Sequence, residues 1–166
     1  MTNKPKTIAF VGVCTALAMV LSYVELLIPP LFPSVPGIKM GLPNIIIVFL
    51  LYRRGPATAF AVSLIRIALV SMLFANAMSF MYSLAGGILS LLVMIILRRL
   101  NFLSTVGVSV AGGVFHNIGQ ILMAMLLLET AELGYYLVVL IVAGTISGIL
   151  IGLCGAALIK RAPKNI

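Results

Sequence analysis

Apolar runs of about twenty residues follow one another along almost the whole chain, separated only by short charged, proline or glycine breaks. A helix rises about 1.5 Å per residue and a bilayer's hydrocarbon core is about 30 Å thick, so runs of this length are those of spanning helices. Hydrophobic residues make up 63% of the 166 residues and charged ones 8%, with a mean hydropathy of +1.27. A water-soluble domain carries about a quarter charged residues. The composition therefore predicts an all-α integral membrane protein, a compact bundle of six transmembrane helices forming a single transmembrane domain over residues 1–166.

The spans are expected at about 7–28, 39–52, 56–75, 78–97, 102–128 and 133–159. Lys4 and Lys6 followed by an apolar stretch imitate a signal peptide, but the run continues to Ile28 without a polar region, so the first span is expected to stay. Pro29-Pro30 ends it, and a Pro/Gly-rich loop leads to Lys39. The second span is short, about 21 Å at the helical rise. It either thins the bilayer locally or has an irregular start at Pro43.

Basic residues fall in pairs at the ends of the runs. With a cytoplasmic amino terminus, alternation places Lys4, Lys6, Arg53, Arg54, Arg98, Arg99, Lys160, Arg161 and Lys164 inside, nine of the eleven basic residues. This balance predicts a multi-pass protein of the cell membrane with both termini cytoplasmic. The net charge of +8 is thus a topology signal, and no nucleic-acid partner is implied.

Against this apolar background the polar residues stand out. Arg66, in SLIRIALV, lies about ten residues into the third span, near the bilayer midplane. An arginine there costs roughly 2.5–3.5 kcal/mol on insertion scales and so calls for a partner or an aqueous cavity. Two readings stand together: a structural ion pair with Glu25, the only acidic residue inside a span, or a guanidinium that holds the anionic group of a ligand, since its planar fork suits carboxylate and phosphate. In the fifth span, FHNIGQ brings His116, Asn117 and Gln120 to one side of a helix. The stripe reads either as interhelical hydrogen bonding or as ligand contacts. Ser63 and Tyr82 are packing residues or accessory contacts. Lys39, with Asn44 at the start of the second span, reads as an entry point for an anion or as a plain surface lysine. Ser83-Leu-Ala-Gly-Gly87 is echoed by Ser109-Val-Ala-Gly-Gly113, small residues that let helices approach closely.

Three glutamates are the only acidic residues and there is no aspartate. Paired carboxylates for Mg²⁺ or for acid–base catalysis are therefore excluded, and the single histidine and two cysteines offer no metal cluster. The expectation is a protein that is not an enzyme, with no catalytic residues, metal or cofactor.

The blocks FPSVPGIKMGLPN, SLIRIALV, FMYSLAGGILSLLVM and VSVAGGVFHNIGQ resemble a membrane family described either as heptaprenyl diphosphate synthase component I or as Gx transporter family protein. The synthase description implies at most a non-catalytic partner here, because aspartate-rich motifs are what such synthases use to hold Mg²⁺ and diphosphate. The transporter description implies a likeness to the substrate-binding S components of energy-coupling factor transporters. By that resemblance the chain captures a small, anionic or amphipathic, vitamin- or cofactor-like solute near its outer face for uptake. A transmembrane coupling protein and cytosolic ATPases supply the energy. Arg66, Lys39 and Asn44 would meet the solute's charge, His116, Asn117 and Gln120 would hydrogen-bond it, Tyr82 would stack on it, and Glu25 would neutralise Arg66 in the empty state. S components dock through an Ala-x-x-x-Ala pattern on the first helix; here Gly12-x-x-x-Ala16 and Cys14-x-x-x-Ala18-x-x-x-Ser22 stand in its place. The alternative is a membrane partner in isoprenoid or quinone metabolism or in flavin-linked extracellular electron transfer.

Overall fold

The computed structural model describes residues 4–28 and 41–163. Six α-helices make the bundle: α1 Lys4–Leu27, α2 Asn44–Arg53, α3 Pro56–Phe74, α4 Ala77–Leu100, α5 Thr105–Leu128 and α6 Leu137–Arg161, with a 3₁₀ turn at Ala131–Tyr136 before α6. Five are long and apolar enough to cross a membrane.

Local chemistry sets the ends. The side chains of Asn76 and Ser104 accept the Ser79 and Gly107 amides at 2.8 and 3.2 Å, capping α4 and α5. Pro56 opens α3, where a missing amide proton costs nothing, after Gly55 at φ +95°. Asn101 closes α4 in the left-handed region at φ 57°, a conformation asparagine tolerates better than most residues.

The expected spans match these helices except the second. It was expected from residue 39, but α2 starts at Asn44 with Pro43 at its amino-terminal cap, and at ten residues it is about 15 Å long, half a bilayer. The proline fixes the irregular start; Lys39 lies outside the described residues. Only three of the ten positions of α2, Ile45, Tyr52 and the terminal Arg53, escape full burial. A helix apolar all round belongs inside a bundle rather than on its surface, and α2 is enclosed by α1, α3 and α6.

Helix direction reverses at each tight connection, so the carboxyl end of α2 meets the carboxyl end of α6. Arg53 proves the meeting: its Nη2 donates to the Ile159 carbonyl at 2.8 Å and to the Ala162 carbonyl. Arg54 lies 5.0 Å from the Phe10 ring of α1, which puts the start of the chain at the same end. Arg98, with its guanidinium 5.1 Å from the Tyr52 ring, joins them from α4. One end of the bundle is therefore basic, and both described chain ends lie there. Glu129 and Glu132 follow α5 at the opposite end.

Around the bundle the helices neighbour one another in the order α1, α3, α4, α5, α6, α2 and back to α1. The echoed glycine pairs explain the close seams. Adjacent helical residues point about 100° apart, so each pair serves two neighbours. A Cβ on Gly86 would lie 3.2 Å from His116 Cε1 on α5, while one on Gly87 would lie 2.8 Å from Ile67 Cδ1 on α3. Gly112 likewise faces Met94 of α4, and Gly113 faces Gly144 of α6. The α6 stripe of Gly144, Gly148 and Gly152 is spent inside the bundle against α5: a Cβ on Gly148 would come within 2.6 Å of Val110 Cα. Cys14 and Cys154 are both free.

Candidate functional site

Arg66 is the tenth residue beyond Pro56, about 15 Å from the basic end of α3, which is the depth at which α2 begins. Only 8% of it is exposed. Its Nη1 donates to Ser22 Oγ of α1 at 3.3 Å, a long contact, and its buried Nε has no hydrogen-bond partner among the described residues. Glu25, one turn beyond Ser22, is also buried and acts on Arg66 electrostatically.

Glu25 has a second role. Its Oε1 accepts the backbone N–H of Gly41, just ahead of α2. Gly41 takes φ +83°, a conformation that favours glycine, and a Cβ there would lie 3.1 Å from Asn44 Nδ2. Asn44 is buried at the first turn of α2. Arg66, Ser22, Glu25, Gly41 and Asn44 thus converge where α1, α3 and the start of α2 meet. The positive end of the α2 dipole lies inside the bundle, about 15 Å from its basic end, and a helix start favours negative charge. The buried Arg66 guanidinium and the Gly41 N–H ahead of a helix start both lie near the Glu25 carboxylate.

The fifth-helix stripe divides. His116 and Gln120 are buried and face the Gly86 backbone of α4. Asn117, turned 100° from His116, points the other way and donates from Nδ2 to the Leu140 carbonyl of α6 at 2.8 Å. Tyr82 is buried on α4 one turn before Gly86. Ser63, one turn before Arg66, lies near Gly87 on the other side of α4. The contacts of Arg66 lead to α1 whereas those of His116 and Gln120 lead to α4, so the polar residues expected to share one site divide between two seams of the bundle.

On α1 the small residues also split between faces. Gly12 and Ala16 are exposed, with nothing within 4 Å of a Cβ on Gly12. Cys14, Ala18, Ser22 and Glu25 form the buried face, so Ala18 and Ser22 are not on the outer surface with Gly12 and Ala16. Two contributors escaped the sequence reading, Ser22 as the partner of Arg66 and Gly41 as the donor to Glu25. The three-residue spacing of Ser22 and Glu25, which sets them on one helix face, was the available signal for the first.

Fold and site define a class: a multi-pass helical membrane protein with a buried, charged site at the depth where a short inner helix begins. The family model described as heptaprenyl diphosphate synthase component I matches residues 14–158. The chain belongs to that family. No curated protein and no solved structure matches it.

Proposed function

We propose that the chain is a non-catalytic membrane subunit that binds a small anionic or amphipathic solute at Arg66 and presents it for uptake, in the manner of an S component. The observation that supports this most is the state of Arg66: buried at mid-depth, with one long hydroxyl contact and no partner for Nε among the described residues, and with α2 starting nearby. A guanidinium serving structure alone would be expected to have its donors filled, since an unfilled buried donor costs about 1–3 kcal/mol. An incoming carboxylate or phosphate would take the place of Glu25 against Arg66 and the Gly41 amide. The opposite placement of charge supports the orientation: basic residues collect at the end that carries both chain ends, which the positive-inside tendency makes cytoplasmic.

The family description favours a second reading, a membrane partner in isoprenoid or quinone metabolism. A prenyl diphosphate is itself an anion on an apolar chain, so the same site serves either role. Purification in mild detergent separates them. Co-purification of a transmembrane coupling protein and cytosolic ATPases supports uptake; co-purification of prenyl-transferring or quinone-making enzymes supports the second reading. Purified wild-type protein that releases no small anion on denaturation contradicts both.

A further inference from the structure

The basic end of the bundle holds a cavity separate from the Arg66 site. Its volume is about 330 Å³, and Leu51 of α2, Pro56 of α3, and Ile95, Arg98, Arg99 and Asn101 at the end of α4 line it. We propose that this cavity seats the phosphate of an anionic phospholipid headgroup.

Charge bookkeeping leads there. All three acidic residues of the chain lie elsewhere: Glu25 is bound up with Arg66 and Gly41, and Glu129 and Glu132 follow α5 at the far end. Lys4, Lys6, Arg53, Arg54, Arg98, Arg99, Lys160 and Arg161 therefore share one end with no carboxylate side chain among the described residues. None of the described carboxylates is there to neutralise them.

Most of these cations are dispersed or already engaged. Arg53 is spent on the carbonyls that end α6, and Arg54 lies over Phe10. Arg98 and Arg99, by contrast, border one recess. Arg98 is held in place by the Tyr52 carbonyl at 3.5 Å and by the Tyr52 ring. Arg99 is exposed and has no hydrogen-bond or ionic partner among the described residues. Pro56 is the first residue of α3, so the positive end of that helix's dipole also borders the recess.

The lining decides between a lipid and a free anion. Ile95 and Leu51 sit about one turn deeper in the bundle than the arginines and give the cavity an apolar wall below a basic rim. A phospholipid uses both, with phosphate on the rim and glycerol and acyl carbons on the wall, whereas inorganic phosphate uses only the rim. Basic pockets between helix ends at the membrane surface favour anionic lipids in this way.

The test is native mass spectrometry of the full chain in mild detergent, titrated separately with phosphatidylglycerol, phosphatidylcholine and inorganic phosphate. Phosphatidylglycerol should bind more tightly than the other two. Arg99→Gln should weaken it about fivefold, the equivalent of about 1 kcal/mol for one basic residue near an anionic surface. Arg161→Gln, an exposed cation at the same end outside the cavity, should leave it unchanged. The proposal fails if Arg99→Gln has no effect, if Arg161→Gln weakens binding equally, or if phosphatidylcholine binds as tightly. It also fails if inorganic phosphate displaces the lipid at equal concentration, which would make the recess a soluble-anion site. None of these outcomes depends on Arg66.

Discussion

Arg66 and Glu25 are two buried opposite charges that act on one another. Removing one leaves the other uncompensated in a low dielectric, which typically costs about 3–5 kcal/mol, whereas replacing both by neutral groups of similar size is often close to neutral. Arg66→Ala should therefore lower stability by that amount in a detergent unfolding titration, and Arg66→Met combined with Glu25→Gln should recover most of it. Glutamine keeps an acceptor for the Gly41 amide. A double variant as unstable as Arg66→Ala would show that the site is held together by something other than charge balance. Asn117 belongs to packing: its amide bridges α5 and α6, and Asn117→Ala should cost about 0.6–2 kcal/mol in the same titration; no measurable loss would show that the bridge contributes nothing. The sequence made all of these residues visible as polar groups at membrane depth. It did not say which neighbour each would meet, because the step from His116 to Asn117 turns a side chain from one adjoining helix to the other, and helix order is not written locally.

At the scale of elements, the seams depend on atoms that are absent. Gly148 and Gly152 lie so close to α5 that a Cβ would sit 2.6 and 2.8 Å from the backbone Cα atoms of Val110 and Val106. A backbone cannot yield as a flexible side chain can, so Gly148→Leu should separate α5 from α6 and abolish the monodisperse folded protein in size-exclusion chromatography. Gly12→Leu, where nothing lies within 4 Å, should leave the elution profile unchanged. If Gly148→Leu also elutes normally, the α5–α6 seam is looser than described. The glycine spacing was legible in the sequence, and so were five helices, whose lengths follow from the hydrocarbon thickness they cross. Helix α2 was legible only in part. Its apolar run and Pro43 were plain, but that the helix sits enclosed at half length depends on what surrounds it.

For the molecule as a whole, charge separation sets direction. Eight described basic residues lie at one end and two of three glutamates at the other. Green fluorescent protein fused to either terminus should fluoresce in cells, since both termini then lie in the cytoplasm; a dark fusion at one terminus only would break the even-span topology. The fusions test which side of the membrane the basic end faces; that both described chain ends share that end was readable from the basic pairs. The converging site was not, because Ser22, Glu25, Gly41, Asn44 and Arg66 come from three segments whose meeting is a tertiary fact. Native mass spectrometry of protein extracted in mild detergent asks whether that meeting holds a ligand. Wild-type protein should carry a small anionic adduct of defined mass, and the charge-balanced Arg66→Met/Glu25→Gln variant, equally folded, should carry none. The same adduct at the same occupancy on both proteins would contradict a ligand-binding role for the buried guanidinium.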